Sequence, residues 1–157
     1  MKAVIVCASV SHGNTKRIAE VMGQVLEATV VDPERADMAE LSTCDLVGFG
    51  SGIFSGRFHP RLREFVQSLP QGERRKAFVF ATSGLPEPRF RPFTRPLVRL
   101  LEQKGFEVSD TFSCRGFDTW LPFRLVGGIN KERPNVTDLE EARTFAEGLR
   151  ARVGAVS

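Results

Sequence analysis

Ser9, Ser11, Asn14 and Thr15 crowd four small hydrogen-bonding side chains into seven residues, with Gly13 among them. The run Ala3-Val4-Ile5-Val6-Cys7-Ala8 precedes them, and a stretch with Ile18, Met22, Val25 and Leu26 on one helical face follows. Residues of these types at this spacing can hold an anion. Backbone N–H groups at a helix start have no intrahelical partner, and the helix dipole favours negative charge there. Gly13 lets the backbone approach a ligand closely. Lys16 and Arg17 come only after the turn. The pattern is therefore neither the Gly-Lys-Ser/Thr phosphate loop of nucleotide hydrolases nor the three-glycine dinucleotide turn. Hydroxyls and amides without a lysine point to a phosphate monoester that stays bound.

Other chemistries lack their residues. The two histidines, His12 and His59, have no cysteine or Glu-x-x partner nearby, which argues against zinc. The three cysteines, Cys7, Cys44 and Cys114, form no Cys-x-x-Cys pair; Cys7 and Cys114 read as small buried hydrophobes. There is no Gly-x-Ser-x-Gly nucleophile turn. Cys7-Ala8-Ser9 offers none of the carboxylates that a phosphate-accepting receiver domain places at the end of its first strand. Asn135-Val136-Thr137 matches a glycosylation sequon, but Thr137 is better explained as a helix cap.

The elements around these residues alternate in type. Ala3 to Ala8 is a continuous apolar run, the signature of a strand covered on both faces. Further strands are expected at Thr29 to Val31, at Leu46 to Gly50 with a break at Ser51-Gly52, at Ala77 to Ala81, and at Phe106 to Ser113, the last with the partial alternation of a strand near an edge. Between the second and third lies a short polar connection, with Met38 and Leu41 facing inward. Pro60 suits a first helical turn, and Leu62, Phe65, Val66 and Leu69 follow as an apolar stripe. Leu97, Leu100 and Leu101 mark the next helix, and Gly105 ends it. Thr137-Asp138-Leu139-Glu140 reads as a capping box opening a last helix with Leu139, Ala142, Ala146, Leu149 and Val153 as its apolar stripe.

Five strands alternating with helices give an α/β architecture, a parallel sheet with helices on both faces. At 157 residues, 41% hydrophobic and 26% charged, with no composition shift, the chain reads as a single domain over residues 1–157. No apolar run approaches the roughly 18 residues of a membrane span. Met1-Lys2 leads straight into a strand too short for a signal-peptide core, so a cytoplasmic chain without stable membrane insertion is expected. The net charge of +3 fits an anionic partner or a mildly biased surface. Its longest basic run is Arg74-Arg75-Lys76, and no RNA-binding motif is present, so no nucleic-acid partner is expected.

Ser11-His12-Gly13-Asn14-Thr15 resembles the phosphate loop of the flavodoxin family, and the resemblance extends over essentially the whole chain. It implies a doubly wound five-stranded parallel sheet in the order 2-1-3-4-5, binding FMN at the carboxyl ends of the strands where the order reverses. It also implies electron transfer with a redox partner protein or a small organic electron acceptor. A family resemblance to protoporphyrinogen oxidases of this type leaves an oxidoreductase acting on a quinone or porphyrinogen as the alternative, and a flavin-free module of the same fold as a third. Ser9, Ser11, His12, Gly13, Asn14 and Thr15 are then expected to bind the phosphate. Ser51, Gly52, Ile53 and Phe54, with Thr82, Ser83 and Gly84, are expected to clasp the flavin ring, Trp120 lying nearby in the long connection after the fifth strand. Phe54 is the first candidate for ring contact, whereas Phe58 and Phe90 read rather as core or lid aromatics. Two departures stand out. The chain has no tyrosine to stack on the ring, and Val10, Ser11 and His12 occupy positions where the family often carries hydroxyls. His12 either donates to the phosphate or points to solvent. Arg57, Arg61, Arg89, Arg91 and Arg95 replace the acidic surroundings common in flavodoxins, which predicts a flavin easier to reduce.

Overall fold

The computed structural model describes residues 1–9, 14–54, 56–72, 75–83, 93–115 and 136–156. Its main sheet has five parallel strands. They are β1 (Ala3–Ala8), β2 (Thr29–Val31), β3 (Leu46–Phe54), β5 (Arg75–Ser83) and β6 (Phe106–Arg115), ordered β2-β1-β3-β5-β6. The two-residue β4 (Arg57–Phe58) pairs antiparallel with the end of β3. Without that hairpin the order is the expected 2-1-3-4-5. The helices are α1 (Asn14–Leu26), α2 (Met38–Ser42), α3 (Pro60–Ser68), α4 (Arg95–Gln103) and α5 (Val136–Val156).

All six residues of β1 are buried, and their alternation serves two cores. Ala3, Ile5 and Cys7 face Ile18, Met22 and Leu26 of α1 and Ala142, Ala146 and Leu149 of α5. Val4, Val6 and Ala8 share the other face with Leu62 and Val66 of α3 and Leu97 and Leu101 of α4. An uninterrupted apolar strand is what such two-sided cover requires.

Gly48 and Gly50 of β3 sit where no side chain fits. A Cβ on Gly48 would overlap the Phe78 ring, and one on Gly50 the Phe80 ring, both rings coming from neighbouring β5. The absent side chains of β3 are the space that two fully buried phenylalanines occupy. Gly105 ends α4 with φ +98°, and a Cβ there would come within 2.5 Å of the Gly72 carbonyl oxygen. The turn therefore needs glycine for both conformation and space.

Several local expectations are corrected. β3 does not break at Ser51-Gly52 but runs to Phe54, because Gly52 pairs with Thr82 of β5, and Ile53 and Phe54 pair with β4. The connection before β3 contains α2, capped by Asp37, whose Oδ1 accepts from the Ala39 amide at 2.9 Å. Leu41 is buried as expected, but Met38, at the start of this short helix, is 41% exposed. Thr137 lies inside α5 rather than before it, since the helix begins at Val136. The imperfect alternation of β6 has a definite origin: the register with β5 passes from Ala77↔Val108 to Phe78↔Asp110, a bulge at Ser109.

Candidate functional site

The carboxyl ends of β1, β3 and β5 lie side by side. Ala8 pairs with Ser51, Ser51 with Ala81, and Gly52 with Thr82. The three segments singled out in the sequence therefore leave the sheet at one edge, where the strand order reverses. Ser11, His12, Gly13, Gly84 and Trp120, together with Phe90, Arg89 and Arg91, lie outside the described residues, as does the side chain of Phe54. Ser9, Asn14, Thr15, Ser51, Gly52, Ile53, Thr82 and Ser83 can be placed.

Ser9 leaves β1 and turns its hydroxyl back to the helix start. Its Oγ accepts from the Lys16 amide at 3.3 Å, which satisfies one of the amides at the first turn of α1. Asn14 opens that turn, half-buried. Thr15 follows and is 4% exposed. Its Oγ1 lies 2.7 Å from Oγ1 of Thr82, at the end of β5 and 5% exposed. Two segments expected to hold opposite ends of one ligand are thus joined by a buried hydroxyl pair. Such a pair has two hydrogens and one shared bond. Among the described residues, the second hydrogen has no acceptor.

The segment after β3 is held by its own hydrogen bonds. Ser51 is completely buried; its Oγ donates to the Gly52 carbonyl at 2.7 Å and accepts from the His59 amide at 3.0 Å. That hydroxyl works inside the protein. Gly56 supplies φ +76° in the turn between β3 and β4. Phe58, paired with Ile53, is 2% exposed and belongs to the core, as its sequence context favoured. Ile53 packs half-buried against the same core. Arg63 Nε donates to the Phe58 carbonyl at 3.0 Å. His59 caps α3, its Nδ1 accepting from the Arg61 amide at 3.0 Å. The sequence did signal this cap, because a proline at the first helical position makes the preceding residue the N-cap.

Of the arginines expected at this edge, Arg61 has its charge paired. Arg57 is exposed, but the guanidinium of Arg61 lies 3.0 Å from the Glu34 carboxylate. Glu34 is held below the usual carboxylate range by its own backbone amide and then by Arg61. Burial, reinforced by Asp32, pushes the Cys7 thiol up to about 12, so it stays protonated. Cys44 is buried too, which its sequence context did not reveal, and burial raises its thiol as well. Neither is a thiolate nucleophile. Burial, followed by Arg61, lowers the pKa of His59. Among the described residues, no group of three or more His, Cys, Asp or Glu could hold a metal ion, and no helix is long and apolar enough to cross a membrane.

This architecture, a five-stranded parallel sheet with helices on both faces and small hydroxyl residues at the reversal point, defines a flavodoxin-like α/β protein. Residues 4–104 match the flavodoxin domain family, and the chain belongs to that family. An uncharacterized protein of Methanocaldococcus jannaschii is 36% identical over 149 residues, covering 95% of this chain and 98% of the relative. Among solved structures, a flavodoxin from the domain Archaea superposes with a TM-score of 0.74 at 21% identity, covering 98% of this chain and 99% of the other. The rubredoxin:oxygen oxidoreductase of Desulfovibrio gigas superposes with a TM-score of 0.72 at 18% identity, covering 98% of this chain and 36% of that larger one. At these identities the solved structures share the fold. Together with the family match they support a flavin-type redox role.

Proposed function

We propose that this chain is an FMN-binding redox protein that transfers electrons between a partner protein and a second protein or small organic acceptor. In this reading residues 1–157 act as one domain in the cytoplasm. The observation that carries it is the Thr15–Thr82 pair. A buried hydroxyl hydrogen left without an acceptor costs about 1–3 kcal/mol; this one has none among the described residues, and a phosphate oxygen beside the first turn of α1 would take it as a charge-assisted bond. The donor set fits a phosphate monoester: Ser9, Asn14 and Thr15 are neutral hydrogen-bonding side chains next to a helix N-terminus.

When bound, FMN supplies one- and two-electron chemistry; the chain supplies binding, orientation and local charge. Thr15 and Asn14 hold the phosphate end, joined by Ser11, His12 and Gly13. Gly52, Ile53, Phe54, Ser83, Gly84 and Trp120 border the ring. Ser51 acts one step back, by fixing the loop that carries Phe54 and His59.

Titration of the purified protein with FMN and riboflavin tests this reading. The expected result is stoichiometric, yellow binding of FMN, with riboflavin at least tenfold weaker, as loss of one or more charge-assisted bonds requires. Equal affinity for the two flavins would remove the phosphate site. A protein that takes up neither is the flavin-free module.

A further inference from the structure

Thr82 is the second-last residue of the strand whose following loop is expected at the flavin ring, yet its hydroxyl is turned to the helix start of the other segment. The two hydroxyls, 67 residues apart in sequence, share one hydrogen bond in which either oxygen can be the donor. The two directions are not equivalent toward an anion. If Thr15 donates to Thr82, Thr15 presents only lone pairs to the ligand and repels it. If Thr82 donates to Thr15, the Thr15 hydrogen is released, and the bond it then makes is polarised in the favourable sense.

We infer that Thr82 is a positioning residue for the phosphate group: it donates to Thr15 Oγ1, fixes that side chain, and turns the Thr15 hydrogen toward the phosphate. The ring-side strand thereby helps to select a phosphorylated flavin. This rests on the FMN reading above. Both side chains are buried beyond nine-tenths, so water does not compete freely for either oxygen. No described residue other than Thr15 accepts from Thr82. The sheet ladder fixes the Thr82 backbone through its pairing with Gly52 and Cys114.

The ratio of riboflavin to FMN dissociation constants measures the phosphate contribution alone, and it tests the inference in five proteins: wild type, Thr82→Val, Thr82→Ser, Thr15→Val and the double valine variant. Thr82→Val should lower the ratio roughly three- to tenfold, the size expected when one of two coupled contacting residues is lost. Its riboflavin affinity should stay at the wild-type value. Thr82→Ser, which restores the donor, should recover the ratio, and it keeps the test open if the valine variant does not fold. Because Thr82 acts only through Thr15, the double variant should match Thr15→Val. A ratio unchanged in Thr82→Val, an equal loss for riboflavin, or an added loss in the Thr15→Val background each overturns the inference while leaving FMN binding intact. A wild-type protein that does not distinguish the two flavins overturns the underlying phosphate site instead.

Discussion

Gly50 of β3 faces the ring of Phe80 on β5 so closely that a single added carbon would overlap it. Both residues sit in the middle third of their strands, just before the residues that form the candidate site. The contact is backbone against ring, and the ring is fully buried with no room to retreat. Gly50→Ala should therefore destabilise the protein by roughly 1–3 kcal/mol through overpacking. Denaturant unfolding should show Gly50→Ala/Phe80→Leu regaining part of that loss, since the smaller side chain vacates the overlap. An alanine variant as stable as wild type would mean that β3 and β5 can separate without cost.

Glu27 holds a left-handed backbone with φ +54° at the end of α1, where the Ala28 amide closes on the Gly23 carbonyl at 2.8 Å. That is the helix-ending turn that normally uses glycine. The side chain is exposed. Glu27→Gly removes the strain of a Cβ in this conformation, at some cost in unfolded-state entropy, and the net gain should be about 0.5–1 kcal/mol. Thermal unfolding should move upward for Glu27→Gly and hardly at all for Glu27→Ala, which keeps the Cβ. A lower midpoint for the glycine variant would contradict the assignment of strain to this residue.

The ion pair between Arg61 and Glu34 changes what the arginines at this edge are expected to do. An arginine beside a bound flavin raises its reduction potential, because a cation favours the added electron. Arg61 has its charge opposed by a carboxylate 3.0 Å away, whereas Arg57 stands exposed on the hairpin between β3 and α3. On the FMN reading, potentiometric titration should show a larger fall in potential for Arg57→Ala than for Arg61→Ala. Glu34→Gln, which unmasks Arg61, should raise it. Falls on the order of tens of millivolts at low salt, shrinking as salt is added, are the expected scale. A potential unmoved in Arg57→Ala would mean that this side chain lies beyond the flavin's electrostatic reach.

The sheet was legible because its signals are collective. Six apolar residues in β1, or the spaced stripe Leu62, Phe65, Val66 and Leu69 behind Pro60, leave little choice of element. Short elements escaped because each depends on one or two contacts. The five-residue α2 stands on the Asp37 cap and the burial of Leu41, and nothing in Met38 itself said that it would be exposed. Ser51-Gly52 looked like a strand end because serine and glycine usually break pairing; what continues β3 is the ladder to Thr82, a partner thirty residues away. The same limit applies to the site. Topology identified its three segments, since ligands gather where strand order reverses. It could not identify which hydroxyls are spent inside the protein. Ser51 turns inward to His59, and Thr15 turns to Thr82, choices fixed by packing between residues far apart in sequence.

His59 offers a test in pH of how the loop after β3 is held. Its Nδ1 accepts the Arg61 amide, so the imidazole must be neutral there, with its proton on Nε2. Protonation places a second hydrogen on Nδ1, facing the amide it should cap, and the bond is lost. Partial burial, then the nearby Arg61 charge, already hold the pKa below its ordinary 6.5. The unfolded chain therefore binds the proton first as pH falls, and stability rises with pH across the interval between the folded value and 6.5. The cap's contribution is fully present above pH 6.5 and is lost as pH drops through the lower, folded value. Asparagine at this position keeps a capping oxygen but does not titrate. Relative to wild type, His59→Asn should gain stability between pH 7 and pH 5, by up to about 1 kcal/mol, the usual worth of an N-cap. Denaturant unfolding at the two pH values decides it: a difference between variant and wild type that does not change with pH would show that the His59 cap does not govern the acid sensitivity of this loop.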